Sequence, residues 1–188
     1  GYGGSCFPKD VSALVRSAAD AGVAIGVLPA VAAANERQKW VLAEKIVARF
    51  GSGPDGRLDG RTFAVWGLAF KPETDDLREA PALVLIDELV TRGAVVQAYD
   101  PVAMPAARAQ YDDEPAVRFA GDAMGALEGA DALAVVTEWR EFKSPDFETI
   151  AGVLRSPVLF DGRNLYDPAV TAAAGIEHHA IGREAATA

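Results

Sequence analysis

The feature that most narrows the folds open to this chain is an alternation that begins after residue 57. Short apolar runs bounded by turn residues take turns there with amphipathic segments. The stretches 62–66, 94–99, 117–120, 132–136, 158–160 and 176–181 read as strands. Between them, 81–92, 147–154 and 168–174 read as helices, and Asp122 reads as the cap of a helix reaching Leu127. Strands that are nearly continuous in apolar character, separated by helices, predict βαβ units and a doubly wound, mostly parallel Rossmann-like sheet. Such a domain takes ligands at the carboxyl ends of its strands.

The run Gly51-Ser52-Gly53-Pro54-Asp55-Gly56 precedes this alternation and reads as a linker. Ahead of it the pattern is helical. A short helix is expected over 11–21, closed by Gly22, and a long one over 28–50, with Pro29 in its first turn and Gly51 at its end. Apolar positions along the long helix (Leu28, Val31, Ala32, Trp40, Val41, Ile46, Val47) fall on more than one face. One face can pack on its own domain, which leaves another for a second copy of the chain. The expected division is therefore 1–57, a cysteine segment with a central helix, and 58–188, a nucleotide-type α/β domain.

Composition removes several function classes. The formal net charge of −9 speaks against nucleic acid or an anionic membrane as partner. The single cysteine cannot form an internal disulfide, which suits a reducing cytoplasm. No apolar run approaches the roughly 20 residues of a membrane span. Methionine occurs only at 104 and 124, so residues ahead of Gly1 are expected in the complete product.

Three constellations carry possible chemistry. The first is Gly3-Gly4-Ser5-Cys6-Phe7-Pro8-Lys9-Asp10. The glycines allow close approach to a ligand, and Cys6 sits just ahead of a helix, where N-terminal dipoles and Lys9 favour the thiolate. Against this, an unpaired cysteine is commonly a small buried apolar residue. The second is the turn Gly67-Leu68-Ala69-Phe70-Lys71-Pro72 with Thr74-Asp75-Asp76-Leu77-Arg78-Glu79-Ala80-Pro81. Lys71 and Arg78 near a helix N-terminus suit phosphates. The turn lacks the three glycines of G-x-G-x-x-G, and Asp75, Asp76 and Glu79 offer the alternative of a surface ion-pair network. The third is Phe160-Asp161-Gly162-Arg163-Asn164, directly after a strand, which puts Arg163 at the ligand edge or in a plain turn. Asp100 reads either as a ribose ligand or as a strand-ending turn. His178-His179 has no third ligand nearby, so no metal site is expected, and Glu138, Trp139 and Glu141 read as a polar loop without a partner.

Taken together and in this order, these motifs resemble the UDP-glucose/GDP-mannose dehydrogenase family. Asn35-Glu36-Arg37-Gln38 is similar to that family's central helix, and the resemblance spans essentially the whole chain. It implies NAD-dependent, four-electron oxidation of a sugar C6 alcohol to a carboxylate, with two NAD and no release of the aldehyde. It implies Cys6 as the nucleophile, passing through a thiohemiacetal and a thioester, and Asp10 as the group that positions water or relays a proton. Gly3, Phe70, Lys71 and Arg163 are implied on the UDP-sugar, and Lys9 and Arg78 on NAD. A homodimer through the central helix is implied as well. The principal NAD-binding domain and further catalytic groups would lie upstream of Gly1, leaving these residues inactive alone. The details of the motifs favour UDP-glucose over GDP-mannose, and a non-catalytic nucleotide-binding or oligomerisation module is the alternative from another class.

Overall fold

The computed structural model describes residues 1–186, so the last two residues of the expected 58–188 domain lie outside the described part. Two helices come first, α1 (Phe7–Asp20) and α2 (Val27–Phe50). There follow β1 (Thr62–Trp66), α3 (Pro81–Thr91), β2 (Val95–Tyr99), α4 (Met104–Gln110), β3 (Val117–Phe119), β4 (Ala132–Val135), α5 (Phe147–Val153), β5 (Val158–Asp161), α6 (Pro168–Ala173) and β6 (Glu177–Ala180).

The six strands form one sheet in the order β3-β2-β1-β4-β5-β6, and every pair is parallel. This is the Rossmann order, with its reversal between β1 and β4. The central strands β1, β4 and β5 are buried along almost their whole length, as a sheet covered on both faces requires. Edge strand β6 instead alternates half-buried and buried residues.

Local chemistry sets the helix boundaries. Proline occupies the first turns of α1, α3, α4 and α6, where its missing N–H is no loss. The Asp146 carboxylate caps α5 by accepting from the Thr149 N–H, and Asp167 caps α6 through the Ala169 N–H. Four details differ from the sequence reading. α1 begins at Phe7, not Val11, because Pro8 already suits a first turn. α4 was not anticipated. Asp122 caps only a single 3-10 turn, Gly125–Leu127. The Gly51–Gly56 stretch is a pinned turn: Ser52 and Arg57 exchange two backbone hydrogen bonds of 2.9 Å, and Arg92 donates to the Asp55 and Gly56 carbonyls.

α2 is 24 residues, about 36 Å at 1.5 Å per residue. Its second half joins the sheet's core, with Leu42, Ala43, Ile46 and Phe50 in one buried cluster with Phe63 and Phe160. Its buried stripe is Asn35, Lys39, Leu42, Ala43, Ile46 and Phe50. Trp40, expected among the packing residues, is 42% exposed, and Val27 is 75% exposed.

Candidate functional site

The reversal of strand order leaves the turns after β1 and β4 side by side at the carboxyl edge of the sheet. Gly67 makes their approach possible. Its φ is +88°, and a Cβ there would lie 2.5 Å from the Thr137 Cβ. Thr137 then donates its hydroxyl to the Ala69 carbonyl at 2.5 Å, fastening the two turns together.

Asp100, at the end of β2, is buried beneath these turns. Its carboxylate accepts from the N–H groups of Leu68 (2.7 Å), Ala69 (3.1 Å), Val102 (2.9 Å) and Ala103 (2.8 Å) and from the Trp139 indole (3.0 Å). The strand-ending reading of Asp100 is therefore the structural one, because its oxygens are occupied by the protein's own donors. The 137–142 loop is likewise not a free polar loop. Trp139 is buried on Asp100, and Phe142 stacks on Trp66 with centroids 5.1 Å apart. Asp161 does for the turn after β5 what Asp100 does after β2, accepting from the Arg163 and Tyr166 N–H groups at 3.0 Å each.

The cysteine segment docks against the β1 turn. The Gly4 N–H donates to the Arg78 carbonyl at 2.9 Å. Gly4 has φ +84°, and a Cβ there would stand 2.7 Å from the Phe70 ring; one on Gly3 would be 2.5 Å from the Glu79 carbonyl oxygen. Only glycine permits both contacts. Arg163 reaches the same place from the β5 turn, donating Nε to the Val136 carbonyl (2.7 Å) and Nη2 to the Phe70 carbonyl (2.9 Å), with the Glu138 carboxylate 3.0 Å from Nε. Three separate constellations of the sequence thus meet at Phe70.

Cys6 stands at the residue before α1 and is exposed, with Ser5 Oγ 3.6 Å from its sulfur. Beside it, between α1, α2 and the β1 turn, is a cleft of about 450 Å³ lined by Tyr2, Gly4, Lys9, Asn35, Arg78 and Glu79, among others. Lys9 and Arg78 are exposed there. Arg78 is held by a two-pronged pair to Asp76 (2.8 and 2.9 Å), and its guanidinium keeps the Asp76 carboxyl below the usual carboxylate range. So part of the expected ion-pair network exists. Glu79, however, turns inward to Lys39 at 2.6 Å. Lys71 is exposed, with Nζ 5.3 Å from the Phe70 ring centroid. Asp10 lies in the first turn of α1, 3.9 Å from Lys9, and does not line the cleft.

Sequence reasoning missed Lys39 as part of this site and set Glu79 against Lys71 and Arg78 instead. A signal for Lys39 was present: positions 39, 42, 43, 46 and 50 share one helical face, so a lysine stood in phase with the core. Among the described residues there is no cluster of metal-ligating side chains, and no helix is long and apolar enough to cross a membrane.

Comparison with known proteins follows this geometry closely. Residues 64–168 match the UDP-binding domain of the UDP-glucose/GDP-mannose dehydrogenase family, and residues 1–37 match that family's central domain. A UDP-glucose 6-dehydrogenase of Pseudomonas aeruginosa is 52% identical over 97% of this chain, and one of Bacillus subtilis is 42% identical over 98%. The chain spans about 40% of the length of either relative. A UDP-glucose dehydrogenase from Pyrobaculum islandicum superposes with a TM-score of 0.78 at 32% identity, over 95% of this chain and 37% of that one. A GDP-mannose dehydrogenase from Pseudomonas aeruginosa gives 0.66 at 25% identity, over 86% and 36%. With its sheet domain matched from β1 through β5 and its cysteine segment matched separately, the chain belongs to the UDP-glucose/GDP-mannose dehydrogenase family.

Proposed function

We propose that this chain carries the sugar-nucleotide-binding part and the cysteine nucleophile of an NAD-dependent UDP-glucose 6-dehydrogenase. Such an enzyme takes the C6 alcohol of UDP-glucose through four electrons to the carboxylate of UDP-glucuronate. The observation that carries this reading is the docking of Gly3-Gly4 on Phe70 and on the Arg78–Glu79 backbone. It holds the cysteine segment at the carboxyl edge of the sheet, where doubly wound folds take nucleotides. Gly3, Phe70, Lys71 and Arg163 converge there to hold the UDP-sugar. Arg163 braces the Phe70 and Val136 carbonyls with one N–H group each and has further donors for an anion.

NAD supplies the hydride acceptor for both oxidations, and the exposed cations Lys9 and Arg78 on the cleft suit its diphosphate. The chemistry assigned to this chain is the capture of the aldehyde. The Cys6 thiolate adds to C6, the carbonyl π bond opens and the oxygen takes a proton, giving a thiohemiacetal. Once that carbon has been oxidised it is a thioester. Water then attacks it, the C–S bond breaks, and the carboxylate leaves as the thiolate is restored, the two protons of the water passing to solvent. A thiolate suits both ends of this sequence, being a good nucleophile and a stable leaving anion. Asp10, one helical turn beyond Cys6, is assigned to water and proton placement.

In the full-length enzyme, Cys6→Ser should retain UDP-sugar affinity and lose steady turnover by more than about a hundredfold, since a hydroxyl attacks and leaves poorly at neutral pH. Turnover within tenfold of the parent removes Cys6 from the mechanism. Running the same assay with GDP-mannose separates the two sugar nucleotides.

The assembly assigned to the protein is a homodimer. Phe7, Leu14, Val27, Val31 and Trp40 on the two N-terminal helices and Val23 between them are exposed, and an isologous interface would cover such surface. Light scattering that gives the mass of one chain, with the helices intact by circular dichroism, would defeat it.

A further inference from the structure

We infer that Lys39, together with Asn35, is a positioning residue that sets Cys6 in register with the nucleotide-binding turn; the inference rests on the function proposed above. The downstream stripe of α2 is apolar, from Leu42 to Phe50. One and two turns earlier the same stripe carries Lys39 and Asn35, both buried. A buried ammonium is strongly unfavourable unless it is paired, so a helix that needed only to pack would carry an apolar residue here.

Lys39 is 5% exposed, and its ammonium donates to Glu79 at 2.6 Å and to Glu36 at 2.9 Å. Burial pulls its pKa down, but the Glu79 and Glu36 carboxylates outweigh that and leave it above the ordinary lysine value. The cation is therefore present throughout the neutral range.

Glu79 has φ 56°, a left-handed conformation that is unfavourable for a non-glycine residue. That conformation sets its carbonyl against Gly3 while its carboxylate lies on Lys39. The preceding carbonyl, of Arg78, receives the Gly4 N–H. Two consecutive peptides thus form the seat of the glycine pair, and Lys39 holds that seat to a rigid helix. Asn35 grips the segment from the other side. Its Oδ1 accepts the Tyr2 N–H at 2.6 Å and its Nδ2 donates to the Tyr2 carbonyl at 3.0 Å. Tyr2 to Gly4 is clamped between adjacent turns of α2 and the β1 turn, two residues ahead of Cys6.

A clamp of this kind acts on placement of the reacting sulfur and only weakly on affinity for the nucleotide. In the full-length enzyme, Lys39→Met should lower kcat by about ten- to a hundredfold, the cost of a small misplacement, with KM for UDP-glucose within about threefold of the parent. Lys39→Arg, which keeps the cation, should recover most of the loss. Glu79→Gln should reproduce the fall, and it decides the matter if Lys39→Met does not fold, because Glu79 is half exposed. Parental kcat in Glu79→Gln overturns the inference, as does a loss in which kcat and KM change together and Lys39→Arg gives no recovery. Cys6→Ser serves as the control. If it still turns over, the proposed function fails. If it is dead while the Lys39 and Glu79 variants keep the parental kcat, the positioning role alone fails.

Discussion

The sheet and the cysteine segment are held by different forces. Phe63, Ala64, Val65 and Leu133 at the sheet's centre are buried in a continuous apolar cluster, stabilised by area removed from water. Residues 1–6 have almost none of this. They are kept in place by a backbone hydrogen bond to Arg78, two hydrogen bonds between Tyr2 and Asn35, and the absence of side chains on Gly3 and Gly4. Apolar packing tolerates volume-conserving exchange, whereas a segment held by a few directional contacts either has them or does not. The fold should therefore be sensitive to changes in the sheet, and the chemistry to changes in the segment.

The largest effect expected on stability is at Phe63, which is fully buried and meets Phe50 edge to face at 5.4 Å. Phe63→Ala should cost about 3–5 kcal/mol in a denaturant melt, through lost transfer free energy and the cavity left behind. A loss under about 1 kcal/mol would mean that the sheet and α2 do not share a core.

Gly4→Ala should behave in the opposite way. A methyl group there meets the Phe70 ring at 2.7 Å with φ at +84°, so the segment must shift. Strain of this kind is worth about 1–3 kcal/mol and is relieved by local movement. Turnover of the full-length enzyme is expected to fall more than about tenfold while the melting midpoint moves less than for Phe63→Ala. Equal destabilisation by the two variants would erase the contrast between the regions.

The same contrast explains what the sequence disclosed. The strands were legible because each is a short apolar run between turn residues, and a parallel sheet buried on both faces needs nothing more. The motifs at Cys6, Phe70 and Arg163 were legible as types, and their meeting at Phe70 follows from the order of the strands. What escaped was long-range or hidden by polarity. Asp100 and Trp139 are 39 residues apart, and neither announces the other. The buried phase of α2 is hidden in the sequence because Asn35 and Lys39 interrupt it with polar side chains, while Trp40 stands on a face the sequence leaves for a second copy. α4 has seven residues rich in alanine, too few to show a period.

The smallest effect expected lies far from the cysteine segment, where α2 meets the sheet edge at the surface. Arg49, near the end of α2, donates Nε to both oxygens of Glu177 on β6 at 2.9 and 3.0 Å, and His179 Nε2 stands 2.6 Å from the same carboxylate. Burial pushes the Glu177 carboxyl upward, but His179 and Arg49 outweigh it and hold its pKa below the ordinary value. A depressed carboxylate stabilises the folded state above its unfolded pKa, about 4.3, and that contribution disappears as pH falls through the lower folded value. Since the Arg49 side chain is 42% exposed, solvent screens the pair and about 0.2–1 kcal/mol is expected at pH 7. Glu177→Gln should thus differ slightly from the parent at neutral pH, and the gap should close as the pH is lowered below 4 or the salt is raised. A gap of several kcal/mol, or one indifferent to pH and salt, would mean that α2 is joined to the sheet edge by charge as firmly as it is joined to the core by packing.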